Sequence, residues 1–241
     1  MGHARHDSHQ VETQINQTVC ILCGGSETFR FFKDKRREYL QCSSCDLVFV
    51  PKNQRLTPEE EVKRYDLHEN SPEDEGYKKF LSRMFKPMNA LVPPGSSGLD
   101  FGSGPGPTLS LMFIESGHKM EIYDHFYAKD RSVFDKKYNF ITATEVVEHL
   151  FNPQNELDHL WSCLKPGGFL GVMTKLVKNK GSFANWHYKD DETHVAFFSR
   201  STFIWLEKRW GATLKFVDND VMIFSKKGER VTQAKMGDVH L

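Results

Sequence analysis

The stretch Leu99-Asp100-Phe101-Gly102-Ser103-Gly104-Pro105-Gly106 decides the fold. Residues 98–101 read as a short buried strand, and residues 107–116 read as a helix, so the glycines sit in the turn between them. Glycine at such a turn permits positive φ and lets a ligand approach the backbone. The first helical turn behind it offers free N–H groups to a polar or anionic ligand group. Asp124 closes the next strand reading, 22 residues after Gly102. A carboxylate there can accept both hydroxyls of a ribose diol. Gly102, Ser103, Gly104, Pro105, Gly106 and Asp124 are therefore candidate ligands of a nucleoside-containing cofactor. The plain alternative is a tight strand-to-helix turn with a solvated acid nearby. The dinucleotide pattern GxGxxG wants a small residue at 107, where Pro107 stands; the spacing here is GxGxG.

Outward from this loop the pattern alternates. Strands are expected at 119–123, 140–144 and 169–174, and helices at 155–164 and 201–209, the last capped by Ser199 or Ser201. Runs 214–217 and 221–225 flank Asp218-Asn219-Asp220 and read as a closing hairpin. Repeated βα units predict an α/β fold with a doubly wound, Rossmann-like sheet, to which the hairpin adds an antiparallel strand. Upstream, Pro93-Pro94-Gly95-Ser96-Ser97-Gly98 is a hard break. Before it, Phe80, Leu81, Met84, Phe85, Met88 and Leu91 follow helical spacing over 75–91, and Thr57 with Glu60 forms a capping box for a helix opening at Pro58. The expected layout is a leader over 1–16 with His3, His6 and His9, a small module over 17–50, a helical linker or lid over 51–92, the α/β domain over 93–228, and a tail over 229–241. The leader's histidines read either as weak metal affinity or as a cloning remnant.

The GxGxG loop resembles the first motif of class I S-adenosylmethionine (SAM) methyltransferases. Residues 138–150, YNFITATEVVEHL, look like that family's fourth-strand motif, and 164–170, LKPGGFL, look like its turn into the fifth strand. The terminal hairpin fits its sixth and seventh strands. The resemblance spans residues 95–227 and implies a SAM site that also includes Thr144 and Glu145. Only 13 residues separate Asp124 from Tyr138, where the family fits a helix, a strand and another helix. One crossover alone takes about 10–12 residues. The third strand is therefore expected to be reduced or missing, which makes the second strand a sheet edge. Phe126 or Tyr127 would then pack on the adenine, unless either is simply core.

Four of the five cysteines form two CxxC pairs, Cys20/Cys23 and Cys42/Cys45, with 18 residues between them. That spacing predicts a tetrahedral four-cysteine zinc ribbon, closed and hence structural. Gly24 and Gly25 supply backbone freedom at the first knuckle. Cys163 is left alone on an amphipathic helix and reads as a small buried hydrophobe.

Methyl transfer needs an aligned acceptor and, for most acceptors, a base. The segment 186–195, WHYKDDETHV, lies where the resembled family covers the acceptor pocket. His187 and His194 are the first candidate bases, with Asp190 as an orienter; the alternative is that either histidine caps or packs. Tyr65, His68, Asn70 and Tyr77 are weaker lid candidates. Glu145-x-x-Glu148-His149 resembles a run that some relatives, small-RNA 2′-O-methyltransferases and ubiquinone-pathway O-methyltransferases, use to hold a divalent cation. With His194 or His187 added, four ligands could converge. The same string also simply ends a strand and starts a helix.

Composition narrows the function class. The chain has 241 residues, 32 basic against 32 acidic, and 39% hydrophobic residues, the profile of a soluble globular protein. Zero net charge argues against binding nucleic acid through bulk charge. Residues 17–50 carry five basic residues after position 27 against four acids, no convincing nucleic-acid surface. No apolar run reaches the ~18 residues of a membrane span, the first twenty residues have no signal-peptide core, and His6 breaks a myristoylation motif. A cytoplasmic enzyme methylating a small molecule, at oxygen or carbon rather than nitrogen, is the first expectation. The alternatives are an RNA methyltransferase whose ribbon reads RNA, and a non-catalytic SAM-binding scaffold. Oligomeric state is not legible.

Overall fold

The structure, a computed structural model, describes residues 15–16, 18–65 and 71–228. The leader histidines, His68, Asn70 and the tail lie outside the described residues, as does the side chain of Tyr65.

The N-terminal part supplies β1 (Ile15–Asn16), β2 (Thr28–Lys33), β3 (Glu38–Cys42) and β4 (Val48–Phe49). Helices α1 (Pro58–Tyr65) and α2 (Glu75–Leu91) follow. The second half begins with β5 (Ser97–Phe101), α3 (Thr108–Glu115), β6 (Lys119–Tyr123), β7 (Tyr138–Thr144), α4 (Pro153–Ser162) and β8 (Leu164–Met173). It ends with α5 (Lys180–Ala184), β9 (Ala196–Phe197), α6 (Arg200–Trp210), β10 (Thr213–Phe216) and β11 (Val221–Ser225).

The larger sheet runs β10-β11-β8-β7-β5-β6. Its β8, β7, β5 and β6 are parallel, and β11 and β10 join antiparallel. This is the expected Rossmann-like sheet with its closing hairpin. No strand lies beyond β6 among the described residues, so the second strand of the α/β unit is an edge. In place of the missing unit stands a single 3-10 turn, Arg131–Asp135, whose Val133 carbonyl accepts from the Tyr138 hydroxyl at 2.7 Å. Central β7 is buried along nearly its whole length, as a strand covered on both faces must be.

Side chains of α2 cover one face of this sheet. Leu81, Met84 and Met88 are buried. Gly171 on β8 makes room for them, because a Cβ there would come within 2.6 Å of both methionine side chains. Asp74 caps α2 by accepting from the Gly76 and Tyr77 amides. Thr57 and Glu60 form the expected reciprocal box at α1.

Residues 165–168 depart from the sequence reading. Expected as a turn before the strand, they belong to β8. Gly167 donates to the Lys226 carbonyl and Lys226 to the Gly168 carbonyl, so the chain is already paired with the segment after β11 while its register against β7 slips between Tyr138 and Phe140. Strand β1, which falls within the expected leader and pairs with β2, was not foreseen, nor were strand β3, short β9 and helix α5. Cys163 is buried as expected, its thiol 3.4 Å from the Phe134 carbonyl.

The cysteine-bearing strands do not stand apart from the rest. The smaller sheet runs β1-β2-β3-β4-β9, so a strand from the second half completes it. Val48 pairs with Phe197 and Phe49 with Ala196. Phe197 is buried between the Tyr39 and Phe183 rings, at centroid distances of 5.8 and 5.5 Å. Truncation of so enclosed a ring leaves a cavity costing about 3–5 kcal/mol. Phe197→Ala is expected to lower the unfolding free energy by that amount, read as a lower urea midpoint at unchanged m-value, and a single transition seen by both tryptophan fluorescence and circular dichroism will show that the two sheets unfold together.

Candidate functional site

The glycine loop leaves β5 and turns back over the ends of β6 and β7. Gly102 and Gly104 have φ of 77° and 64°. Gly102 is required twice over: its backbone is left-handed, and a Cβ would lie 2.1 Å from a Val146 methyl. Asp124 is buried at the end of β6. Its Oδ2 accepts from the Gly104 amide at 2.9 Å, and its Oδ1 accepts from the Phe126 and Tyr127 amides at 2.8 and 3.1 Å. The acid thus fixes the glycine loop and the following loop together. A carboxylate has about four lone-pair sites, so three backbone bonds leave room for a ligand hydroxyl.

Beside this loop opens a cavity of about 660 Å³, within the range of ligand pockets. Gly102, Ser103, Gly104, Pro105 and Asp124 line it, as do Thr144, Glu145, His149 and His194; Gly106 is buried next to the loop and is not in the wall. Phe126 and Tyr127 form one rim, and Tyr77 and Phe80 from α2 another. Among the described residues, six acidic ones line it (Glu61, Asp124, Glu145, Glu148, Glu156 and Asp191), and no lysine or arginine does.

The acidic end is built where β7 stops. Glu145 has φ of 52°, unusual for a residue with a side chain, and such strain persists only where surrounding structure enforces it. Here its amide donates to the Met173 carbonyl at 2.8 Å, holding it to β8. Burial pushes the Glu145 carboxyl up to about 7. Glu148 is wholly buried, and burial first, then the charge of Glu145, pushes it up to about 8. The Tyr188 hydroxyl donates to one Glu148 oxygen and lies 3.2 Å from the Thr174 hydroxyl. Thr144 Oγ1, Glu145 Oε1 and Glu148 Oε2 are buried with no protein partner. Buried polar atoms normally have partners, so three orphans around one cavity mark a place for a ligand.

His194 is held by its backbone surroundings. Its Nδ1 lies 2.6 Å from the Tyr188 carbonyl. A carbonyl only accepts, so Nδ1 carries the proton and Nε2 is the free lone pair. Burial holds the His194 pKa below the ordinary histidine value. The His149 and His194 rings sit edge to face, 4.6 Å apart. One ligand atom each from Glu148, His149 and His194 lies within 4.8 Å of the others.

The structure does not bring every expected residue here. His187 is exposed, and its Nε2 is 3.2 Å from the Lys175 ammonium. Asp190 is exposed and pairs with Arg36 at 2.7 Å. Both fall on a 3-10 turn, His187–Asp190, that buries Tyr188 and Lys189 instead, so the two outer positions face away from the cavity. Asp191 and Tyr188 are the residues of that segment which the sequence reading missed.

At the other end of the chain the four cysteines gather. Cys20 and Cys45 sulfurs are 3.5 Å apart and Cys23 and Cys42 sulfurs 3.4 Å. Zinc–thiolate bonds of about 2.3 Å imply sulfur separations of about 3.8 Å in a tetrahedron, so the set fits a zinc ion. Amides two residues on donate to three of the sulfurs: Leu22 to Cys20, Gly25 to Cys23 and Ser44 to Cys42. Gly24 and Asp46, each four residues past the first cysteine of its pair, both have positive φ, 72° and 58°. The two knuckles are copies of one turn.

Comparison with known proteins gives a consistent answer. Residues 68–215, more than half of the chain, match the family described as methyltransferase domain. Among solved structures, a Burkholderia thailandensis 1,6-didemethyltoxoflavin N1-methyltransferase with bound 1,6-didemethyltoxoflavin and S-adenosylhomocysteine has a TM-score of 0.50 at 12% identity, covering 82% of this chain and 98% of that one. An O-methyltransferase family protein from the same organism has a TM-score of 0.45 at 10% identity, covering 70% and 63%.

The buried acids also set a pH dependence. Glu148 ionises near its ordinary value of 4.5 when unfolded and only near 8 when folded. Between those values the folded state binds more protons, so stability falls as pH rises. Without added divalent cation, melting temperature is expected to fall from pH 5 to pH 8, with Glu145 and Asp100, pushed up to about 7 and about 6, acting in the same direction. Glu148→Gln should flatten the profile; an equally steep decline in that variant would show the slope to lie elsewhere.

Proposed function

This chain belongs to the methyltransferase-domain family and is a class I SAM-dependent methyltransferase, and on that premise we propose that it methylates a small-molecule acceptor at oxygen or carbon in the acid-lined cavity. The observation that carries the reading is the cavity wall: among the described residues, six acids, no lysine or arginine, and three buried polar atoms awaiting partners. Such a wall suits a sulfonium cofactor and repels phosphate, which disfavours an RNA backbone. The glycine loop and Asp124 hold the nucleoside, with Asp124 taking a ribose hydroxyl at its remaining lone pair and Phe126 or Tyr127 on the adenine side. Thr144 and Glu145 face the methyl-bearing end.

The chemistry follows from the acids. As the acceptor bonds to the methyl carbon, the carbon–sulfur bond breaks and the sulfonium becomes a thioether. An amine can attack as its free base, whereas a hydroxyl or carbon acid must lose a proton during attack. Glu145, desolvated to about 7, has its unpartnered Oε1 at the cavity and is placed to take that proton. Tyr77 and Phe80 exclude water from the same side.

Two metal sites belong to the proposal. Cys20, Cys23, Cys42 and Cys45 hold zinc in a closed, structural site. Glu148, His149 and His194 fit a second divalent cation: the set is mixed oxygen and nitrogen, Glu148 Oε2 is unpartnered, and the His194 tautomer leaves a lone pair on Nε2, 3.8 Å from Asp191 Oδ2. A cation there would lower the pKa of an acceptor hydroxyl. No helix of the described residues is long and apolar enough to cross a membrane.

Calorimetry is expected to show SAM binding and no NAD binding, and Asp124→Ala to weaken SAM binding about 10-fold or more, since it removes ribose contacts and the loop anchor together. Transfer from labelled SAM to a metabolite pool, with none to an RNA pool, is the central test; label in RNA alone would overturn the small-molecule reading. A spin-resonance titration with Mn²⁺, which thiolates do not favour, should report one site that Glu148→Gln and His194→Ala abolish.

A further inference from the structure

Residues 189–194 reach the cavity by a path that the ribbon dictates. Arg37 stands at the tip of the β2–β3 hairpin. Asp34 Oδ1 accepts from both the Arg36 and Arg37 amides at 2.8 Å, closing that tip. The Arg37 side chain is buried, and its guanidinium donates to four backbone carbonyls of one distant segment. One terminal nitrogen reaches Glu192 at 2.9 Å and His194 at 3.1 Å; the other reaches Lys189 at 2.6 Å and Asp191 at 3.0 Å. Nothing in that set is a carboxylate. A buried cation with carbonyl partners alone recovers its desolvation cost only if the carbonyls converge, so the segment must curl around it. Neighbours reinforce the grip: the Tyr39 hydroxyl is 3.4 Å from the Lys189 carbonyl, and the Lys189 ammonium is 3.5 Å from Asp34.

That curl carries the catalytic end of the cavity. It holds the Tyr188 carbonyl where His194 Nδ1 donates to it, and it seats His194 beside Glu148 and His149, with Nε2 3.8 Å from Asp191 Oδ2. We propose that Arg37 is a positioning residue of the methyl-transfer site: the ribbon completes the enzyme by gathering the carbonyls of residues 189–194, and so fixes the place and tautomer of His194. The proposal rests on His194 serving the site as described above. It assigns the ribbon a part in the enzyme's own chemistry and not the role of a separate reader. A planar fork is needed, because only a guanidinium presents paired donors from two nitrogens; an ammonium offers its donors from one point.

Histidine side-chain nitrogen resonances of the full-length, zinc-loaded protein test this without an acceptor. In the wild type, His194 should show a single Nδ1–H tautomer. Folded Arg37→Ala should show mixed tautomers at His194, with SAM affinity within about twofold because no cofactor contact has changed. Added guanidinium ion, at concentrations too low to denature, should restore the wild-type pattern. With the acceptor found in the screen, kcat should fall about 10-fold or more while KM for SAM stays put. An unmoved His194 pattern in folded Arg37→Ala overturns the proposal, as does Arg37→Lys giving both wild-type resonances and wild-type kcat, since charge alone would then suffice. If Arg37→Ala does not fold, Arg37→Lys decides: mixed tautomers with a lowered kcat support the proposal. Failure of the catalytic reading is separate, since His194→Ala would then keep full turnover whatever Arg37 does.

Discussion

The backbone of Val195 is the joint on which the two halves of the molecule depend. Val195 is fully buried, so neither its N–H nor its C=O can be left to water. The N–H donates to the Glu148 carbonyl at 2.8 Å, and the C=O accepts from the Val50 amide at 2.9 Å. One partner lies at the end of the catalytic sheet and the other on the cysteine module. A shift of this residue relative to either side strands a buried polar group, at about 1–3 kcal/mol for each bond lost. The β4–β9 pairing, the Arg37 contacts and the stacking around Phe183 all lie within a few residues of that joint. The histidine-bearing segment is thereby tied through its backbone to both halves.

Against that fixed segment the cavity is electrostatically unusual. Carboxylates buried together normally cost more than they return. Glu145 and Glu148 limit the cost by holding protons to higher pH and by sharing the hydroxyl of Tyr188, which burial and the two acids keep protonated. The remaining cost is the kind that a cationic ligand offsets on binding. Stability and function therefore pull against each other at the end of β7, as the left-handed backbone of Glu145 also indicates.

Much of this was legible in the sequence, and for identifiable reasons. Glycine spacing, a strand-terminal acid and a closing hairpin are local patterns tied to backbone geometry, so the sheet and the loss of one βα unit could be read from residues 98–225. The clustering of the cysteine pairs could be read because it depends on one chemically specific side chain at a fixed spacing. Arg37 could not, because its partners are carbonyls 152 to 157 residues away, and every residue has a carbonyl. His187 and Asp190 show the reverse: their side chains suit the chemistry but lie outside the cavity wall, because the turn that carries them buries Tyr188 and Lys189 against the cluster contributed by β2 and β3.

The lost third strand has a cost outside the active site. It leaves β6 with one row of backbone donors and acceptors that a strand from another molecule could use, the usual route to edge-to-edge aggregation. The chain answers in three ways. The edge is only five residues long, it carries the charges of Lys119 and Glu121, and the turn that replaced the missing unit lies against it, with Lys136 bonded to Glu121 at 2.6 Å. The thirteen residues between Asp124 and Tyr138 are thus more than a shortened connection. They guard the molecule's colloidal behaviour, a duty that the absent strand would have performed by simply being there.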